Sequence, residues 1–110
     1  MSRTPGSNGY VGVSRAAAQK HYDVSDDFFR IWLGPGLTYA AAMWEEGDTL
    51  ETAQARKTEY LIAQAGVQPG SRVLDIGCGY GHELRTPVEK YEVAEAVGIT
   101  LSEAQVEYLR

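Results

Sequence analysis

The segment Val73–Gly81 reads VLDIGCGYG, an apolar run of strand length passing directly into glycines at alternate positions. That order is a buried strand opening into a glycine-rich loop, with a helix to follow. A short apolar strand without polar alternation fits a parallel sheet covered on both faces, so an α/β fold is expected. Gly77 and Gly79 permit positive φ and let the backbone approach a ligand where a Cβ would intrude. N–H groups at the start of the next helix suit an anionic group. That group is either a pyrophosphate or the carboxylate of an amino-acid-like cofactor.

The spacing leans to the second. Dinucleotide sites read G-x-G-x-x-G, and the third glycine of that pattern is replaced here by His82. The observed form is D-x-G-x-G-x-G, with Asp75 two residues before the first glycine. A carboxylate there suits a cofactor bearing an ammonium group, such as S-adenosylmethionine. The dinucleotide pattern also expects an acid at the end of the second strand. That strand ends here at Gly98-Ile99-Thr100, and Glu95 lies near its beginning. Thr100, Ser102 and Gln105 offer neutral polar groups instead. The alternative is a glycine-rich turn that holds no ligand. Cys78 reads as a small packed residue rather than a nucleophile.

The flanking sequence divides into three stretches. Residues 1–13 form a lead rich in glycine, serine and proline, expected to be flexible. Residues 14–66 read as helical. Ser14 caps a helix through RAAAQKHY, and Ser25 caps a second through FFRIWL, stopped at Gly34-Pro35. Phe28, Phe29, Ile31, Trp32 and Leu33 are too apolar for a free surface and should pack or line a pocket. GLTYAAAMWEEG is an ordered loop. Asp48 and Glu51 form a capping-box-like pair for a helix over about Thr49 to Ala65, with Leu50, Ala53, Tyr60, Leu61 and Ala65 as its apolar face. Residues 67–110 open an α/β unit. VQPG is a turn, SRVLDIG a strand, HELR a helical start and VAEAVGI a second strand. SEAQ is a second capping box, at the head of a last helix. Pro87 should kink or divide the helix between the strands, because TPVE is itself a helix-start signal.

Composition excludes several functions. A net charge of −5 over 110 residues disfavours nucleic-acid binding, which needs a basic field. The lone Cys78 excludes an intrachain disulfide and a multi-cysteine zinc site, and suits a reducing compartment. No apolar run approaches a membrane span, and the N-terminus lacks the apolar core of a signal peptide, so a cytoplasmic location is expected.

HYDVSDDFFRIWLGPGLTYAAAMWEEGDTLETAQ, GVQPGSRVLDIGCGYG and VGITLSEAQ stand in the order and spacing of one family. Over residues 15 to 110 the chain resembles the cyclopropane-fatty-acid synthase and mycolic acid cyclopropane synthase group of S-adenosylmethionine-dependent methyltransferases. The resemblance implies the N-terminal part of a Rossmann-like class I methyltransferase fold, a helical cap followed by an incomplete parallel sheet. It implies methyl transfer to the double bond of an unsaturated acyl lipid. A carbocation-like intermediate then loses a proton to close a ring, or is quenched by water. Close relatives methylate small natural products.

Carried over by position, Val73, Leu74, Asp75, Ile76, Gly77, Cys78, Gly79, Tyr80 and Gly81 would cradle the methionine part of the cofactor. Tyr39 and Ala40, where Tyr-Ser is common, would lie against it from the N-terminal side. Thr100, Leu101, Ser102 and Gln105 would meet the adenosine end. Tyr22 is a candidate for covering the site. For Phe28, Phe29 and Trp32 packing of the cap is the expected role. The sequence departs from the family at Ala40, at Tyr80 in place of tryptophan, at His82 in place of a small residue and at Pro87. EVAEAVGI is one residue longer than the usual strand entry, which calls for a bulge or a slip of faces.

The resemblance places the residues that hold the substrate and a bicarbonate proton acceptor beyond Arg110, so no catalytic residue is expected within these 110. An open two-stranded parallel sheet cannot cover both faces. The chain alone is therefore expected to be unstable, partly molten, or completed by a complementary or full-length chain. The leading reading is an N-terminal portion of a methyltransferase, inactive alone. The second is a non-catalytic remnant or partner that associates with a full-length homologue. An unrelated glycine-loop binding module is a third, which the two other family segments oppose.

Overall fold

Helix-start residues set the N-terminal half. In the computed structural model, which describes residues 12, 14–22 and 24–110 (the side chain of Tyr22 excepted), α1 spans Arg15–Tyr22 and α2 spans Asp26–Leu33. Ser14 Oγ accepts from the Ala17 amide at 3.2 Å, and Ser25 Oγ accepts from the Phe28 amide. Asp26 and Asp27 sit in the first turn of α2, where carboxylates complement the helix dipole. All but one residue of the 1–13 lead lie outside the described residues.

A loop over residues 34–49 leads into α3, Leu50–Gln64. Its cap differs from the expected Asp48–Glu51 pair by one residue. Thr49 is the N-cap and exchanges hydrogen bonds with Thr52, 3.0 Å from the Thr49 amide to Thr52 Oγ1 and 3.3 Å in return. Asp48 is held by other donors: the Glu45 amide at 2.6 Å, the Thr52 hydroxyl at 2.9 Å and the Arg56 guanidinium. The expected apolar face is also corrected. Ala53 is buried as foreseen, but its companions are Gln54, Thr58 and Ile62, while Tyr60, Leu61 and Ala65 are exposed. The buried stripe carries polar groups because part of it faces loop backbone. Gln54 Nε2 donates to the Ala40 carbonyl at 2.8 Å, a bond an apolar side chain could not make.

β1 (Arg72–Ile76), α4 (His82–Lys90) and β2 (Glu95–Ile99) form a βαβ unit, and α5 (Glu103–Leu109) follows. The strands are parallel, with Arg72 opposite Glu95 and Ile76 opposite Ile99 in unbroken register. The strands therefore pair without the bulge that was expected, and the turn before β2 carries Glu92 at φ 50. α4 is one continuous helix, against the expected break at Pro87. The Pro87 side chain is fully buried, and the Thr86 hydroxyl donates one turn back to the His82 carbonyl at 3.1 Å. Burial of the ring offsets the amide bond that proline cannot make.

α4 covers the sheet face that carries Gly98. The opposite face presents Leu74, Ile76, Val97 and Ile99, each between 42 and 76 % exposed, so β1 is covered on one side only among the described residues. The buried apolar cluster lies elsewhere, where Phe29, Leu33 and Leu37 meet Tyr80, with Tyr108 against it. Phe28, Ile31 and Trp32 remain exposed, so only Phe29 and Leu33 of the FFRIWL segment reach the core. Among the described residues no helix is long and apolar enough to cross a membrane.

Candidate functional site

The glycine loop, the 37–40 loop, α3 and the Thr100–Gln105 segment converge on a cavity of about 440 Å³. Gly77 and Gly79 adopt φ of 82° and 54°, which side chains rarely tolerate. A Cβ at either would meet no atom within 4 Å, so both glycines open onto free space. The loop is pinned from behind: the Gly77 and Cys78 amides donate to the Ile99 carbonyl at 2.8 and 3.1 Å.

Ten of the residues foreseen for the cofactor line this cavity: Tyr39, Ala40, Asp75, Gly77, Cys78, Gly79, Tyr80, Thr100, Leu101 and Gln105. The other five do not. Val73, Leu74 and Ile76 are strand residues that do not border it, Leu74 and Ile76 lying on the bare face. Gly81 borders a second cavity and stands against Leu109. Ser102 is 1 % exposed and serves as N-cap of α5, accepting from the Gln105 amide. SEAQ is thus half of the expected capping box, since Gln105 Oε1 accepts instead from the Thr100 hydroxyl at 2.6 Å. The Tyr22 side chain lies outside the described residues.

Lys57 and Glu83 border the cavity and were not foreseen; they form an ion pair at 2.5 Å. Lys57 could have been found by following Gln54 one turn along the buried side of α3. His82 also lines the cavity, where its ring occupies space a small residue would leave open.

Asp75 makes no hydrogen bond or ion pair among the described residues. Burial pushes its carboxyl above the ordinary range, Glu83 adds to this, and Lys57 opposes it. Burial also raises the Cys78 thiol, with Asp75 adding to the shift. Cys78 is 4 % exposed and stays a thiol at neutral pH, a poor nucleophile.

The helical segment is tied to this loop by aromatic residues. Tyr80 donates its hydroxyl to Asp26 Oδ1 at 2.9 Å and stands edge-on to Tyr108 at 5.1 Å. Tyr39 stacks on His21 at 5.7 Å and meets the Trp32 edge at 5.0 Å. The site therefore offers a glycine cradle, one unpaired carboxylate, a neutral Thr–Gln pair and an aromatic wall.

The family model of mycolic acid cyclopropane synthetase matches residues 13–110. Cyclopropane mycolic acid synthase 1 of Mycobacterium tuberculosis is 46 % identical over 96 residues, 86 % of this chain and 33 % of that protein. A crystal structure of mycolic acid cyclopropane synthase CmaA1 complexed with SAH and CTAB superposes with a TM-score of 0.82 at 45 % identity, over 86 % of this chain and 33 % of that one. Coclaurine N-methyltransferase, bound to N-methylheliamine and SAH, gives 0.80 at 27 % identity, over 86 % of this chain and 28 % of that one. The chain spans about a third of the length of the relatives it matches.

Proposed function

The chain belongs to the mycolic acid cyclopropane synthetase family, and from that membership we propose that it carries the S-adenosylmethionine-binding part of a C-methyltransferase. The whole protein, in this reading, methylates an alkene of an acyl lipid or a related small molecule. One observation carries the cofactor assignment: the open glycine cradle of Gly77 and Gly79 beside the unpaired Asp75. The relatives solved with SAH support it.

The residues present fit that cofactor. When bound, it supplies an activated methyl group. Asp75 holds its ammonium, and the Gly77–Gly79 backbone lets the methionyl chain approach. Thr100, Leu101 and Gln105 take the adenosine end, and Tyr39 with Ala40 closes the near side and excludes water. Residues 14–66 act as a cap and residues 67–110 begin the cofactor-binding domain.

The bare face of Leu74, Ile76, Val97 and Ile99 favours a second reading, a non-catalytic chain that docks on a full-length homologue. Sedimentation of this chain mixed with such a homologue separates the two, because only the second gives a co-sedimenting species. Calorimetric titration with S-adenosylmethionine tests the first. Saturable binding is expected, and Asp75→Ala and Gly79→Val should each abolish it. No heat at millimolar cofactor overturns the assignment.

A further inference from the structure

Among the described residues three charged side chains border the cavity, and their pairing is unequal. Lys57 comes from α3, Asp75 from β1 and Glu83 from the first turn of α4. Two of them are acidic and one is basic. Lys57 Nζ stands 2.5 Å from Glu83 Oε1, with the two side chains only 13 and 26 % exposed. Asp75, on the same cavity wall, has no such partner.

A half-buried carboxylate beside an ammonium group would ordinarily take it. All three side chains line the one cavity, and Lys57 and Glu83 act electrostatically on Asp75 in opposite directions. Glu83 also gains from the helix N-terminus, where a carboxylate is favoured. Its enclosed pair with Lys57 is less screened than a surface pair.

We propose that Glu83 is a positioning residue: by holding Lys57 in an ion pair, it keeps the Asp75 carboxylate unoccupied for the ammonium group of an amino-acid ligand. This rests on the cofactor reading above. Without Glu83, Lys57 turns to Asp75, and the ligand's ammonium must displace a resident one. Lys57 is then an inhibitor of the site that Glu83 restrains.

The test is calorimetric titration with S-adenosylhomocysteine, and with an analogue lacking its α-amino group. Glu83→Gln should weaken S-adenosylhomocysteine binding about ten-fold, the size expected when a partly buried charge must be displaced. Adding Lys57→Met to Glu83→Gln should restore affinity close to that of the unaltered chain. The deaminated analogue should bind the unaltered chain and Glu83→Gln equally. Unchanged affinity in Glu83→Gln, or a double variant no better than the single, overturns the proposal while leaving the cofactor reading intact. If the unaltered chain binds no S-adenosylhomocysteine, that reading falls instead. A ligand-free measurement then decides the pairing: the Asp75 carboxyl, followed by ¹³C NMR, should titrate lower in Glu83→Gln. An unmoved Asp75 resonance overturns the inference. Among the described residues the other titratable groups lining the cavity are His82, Cys78, Tyr39 and Tyr80, and none is altered by the substitution.

Discussion

The Tyr80 hydroxyl donates to the Asp26 carboxylate at 2.9 Å, joining the glycine loop to the first turn of α2 across 54 residues of sequence. That bond links α2 to the glycine loop. Asp26 also lies in the first turn of its helix, where a carboxylate complements the positive end. Tyr80→Phe keeps the buried ring and removes the bond. Because the acceptor is ionised, the loss should be about 1–2 kcal/mol. Urea denaturation should show the midpoint lowered with the slope unchanged.

Gly98 illustrates a different constraint, close approach without special backbone. A Cβ there would lie 2.4 Å from Leu84 Cδ1 and 2.7 Å from Cys78 Sγ. α4 packs on the sheet at this point because the glycine lets it. Gly98→Ala should cost about 1–3 kcal/mol through overpacking. Leu84→Ala in the same chain should recover part of that loss, seen as a partial return of the thermal midpoint.

The sequence made these elements legible unevenly, for physical reasons. Ser14, Ser25, Thr49 and Ser102 act within one turn of themselves, so the helix starts were readable to within a residue. The glycine loop was readable because backbone geometry there demands glycine. The buried face of α3 was not, since Gln54 answers loop carbonyls distant in sequence and Thr58 is buried by tertiary packing. Pro87 misled for the same reason: its local signal breaks a helix, and tertiary burial of its ring overrides that signal. Lys57 and Glu83 are ordinary helix residues until the fold sets them beside Asp75.

Acid should destabilise the chain through two carboxylates. Arg56 hydrogen bonds first, then the Glu45 amide, hold Asp48 well below the usual carboxylate range. Lys90 and then Tyr91 lower Glu59. Both groups bind protons less readily folded than unfolded. The stability they add is therefore present above the unfolded value, about 4, and is lost as pH falls from there through their lowered folded values. Thermal midpoints measured down the pH scale should drop in this window. Asp48→Asn should lie lower at neutral pH and fall less steeply in acid.

Asp75 should behave with the opposite sign. Burial raises its folded value above the unfolded one, with Glu83 reinforcing the shift. No penalty exists below the unfolded value. It accrues as pH rises from there through the raised folded value, because the ionised group lacks a partner among the described residues. Asp75→Asn removes that cost while nearly preserving shape. The variant should melt at a higher temperature than the unaltered chain at pH 7, and the gap should close in acid. It should also lose S-adenosylmethionine binding, because the amide offers the cofactor's ammonium no charge. A higher midpoint together with lost binding would mark Asp75 as a residue kept for ligand recognition at the expense of stability. An Asp75→Asn variant that melts lower, or binds as before, would show the carboxylate to be structural.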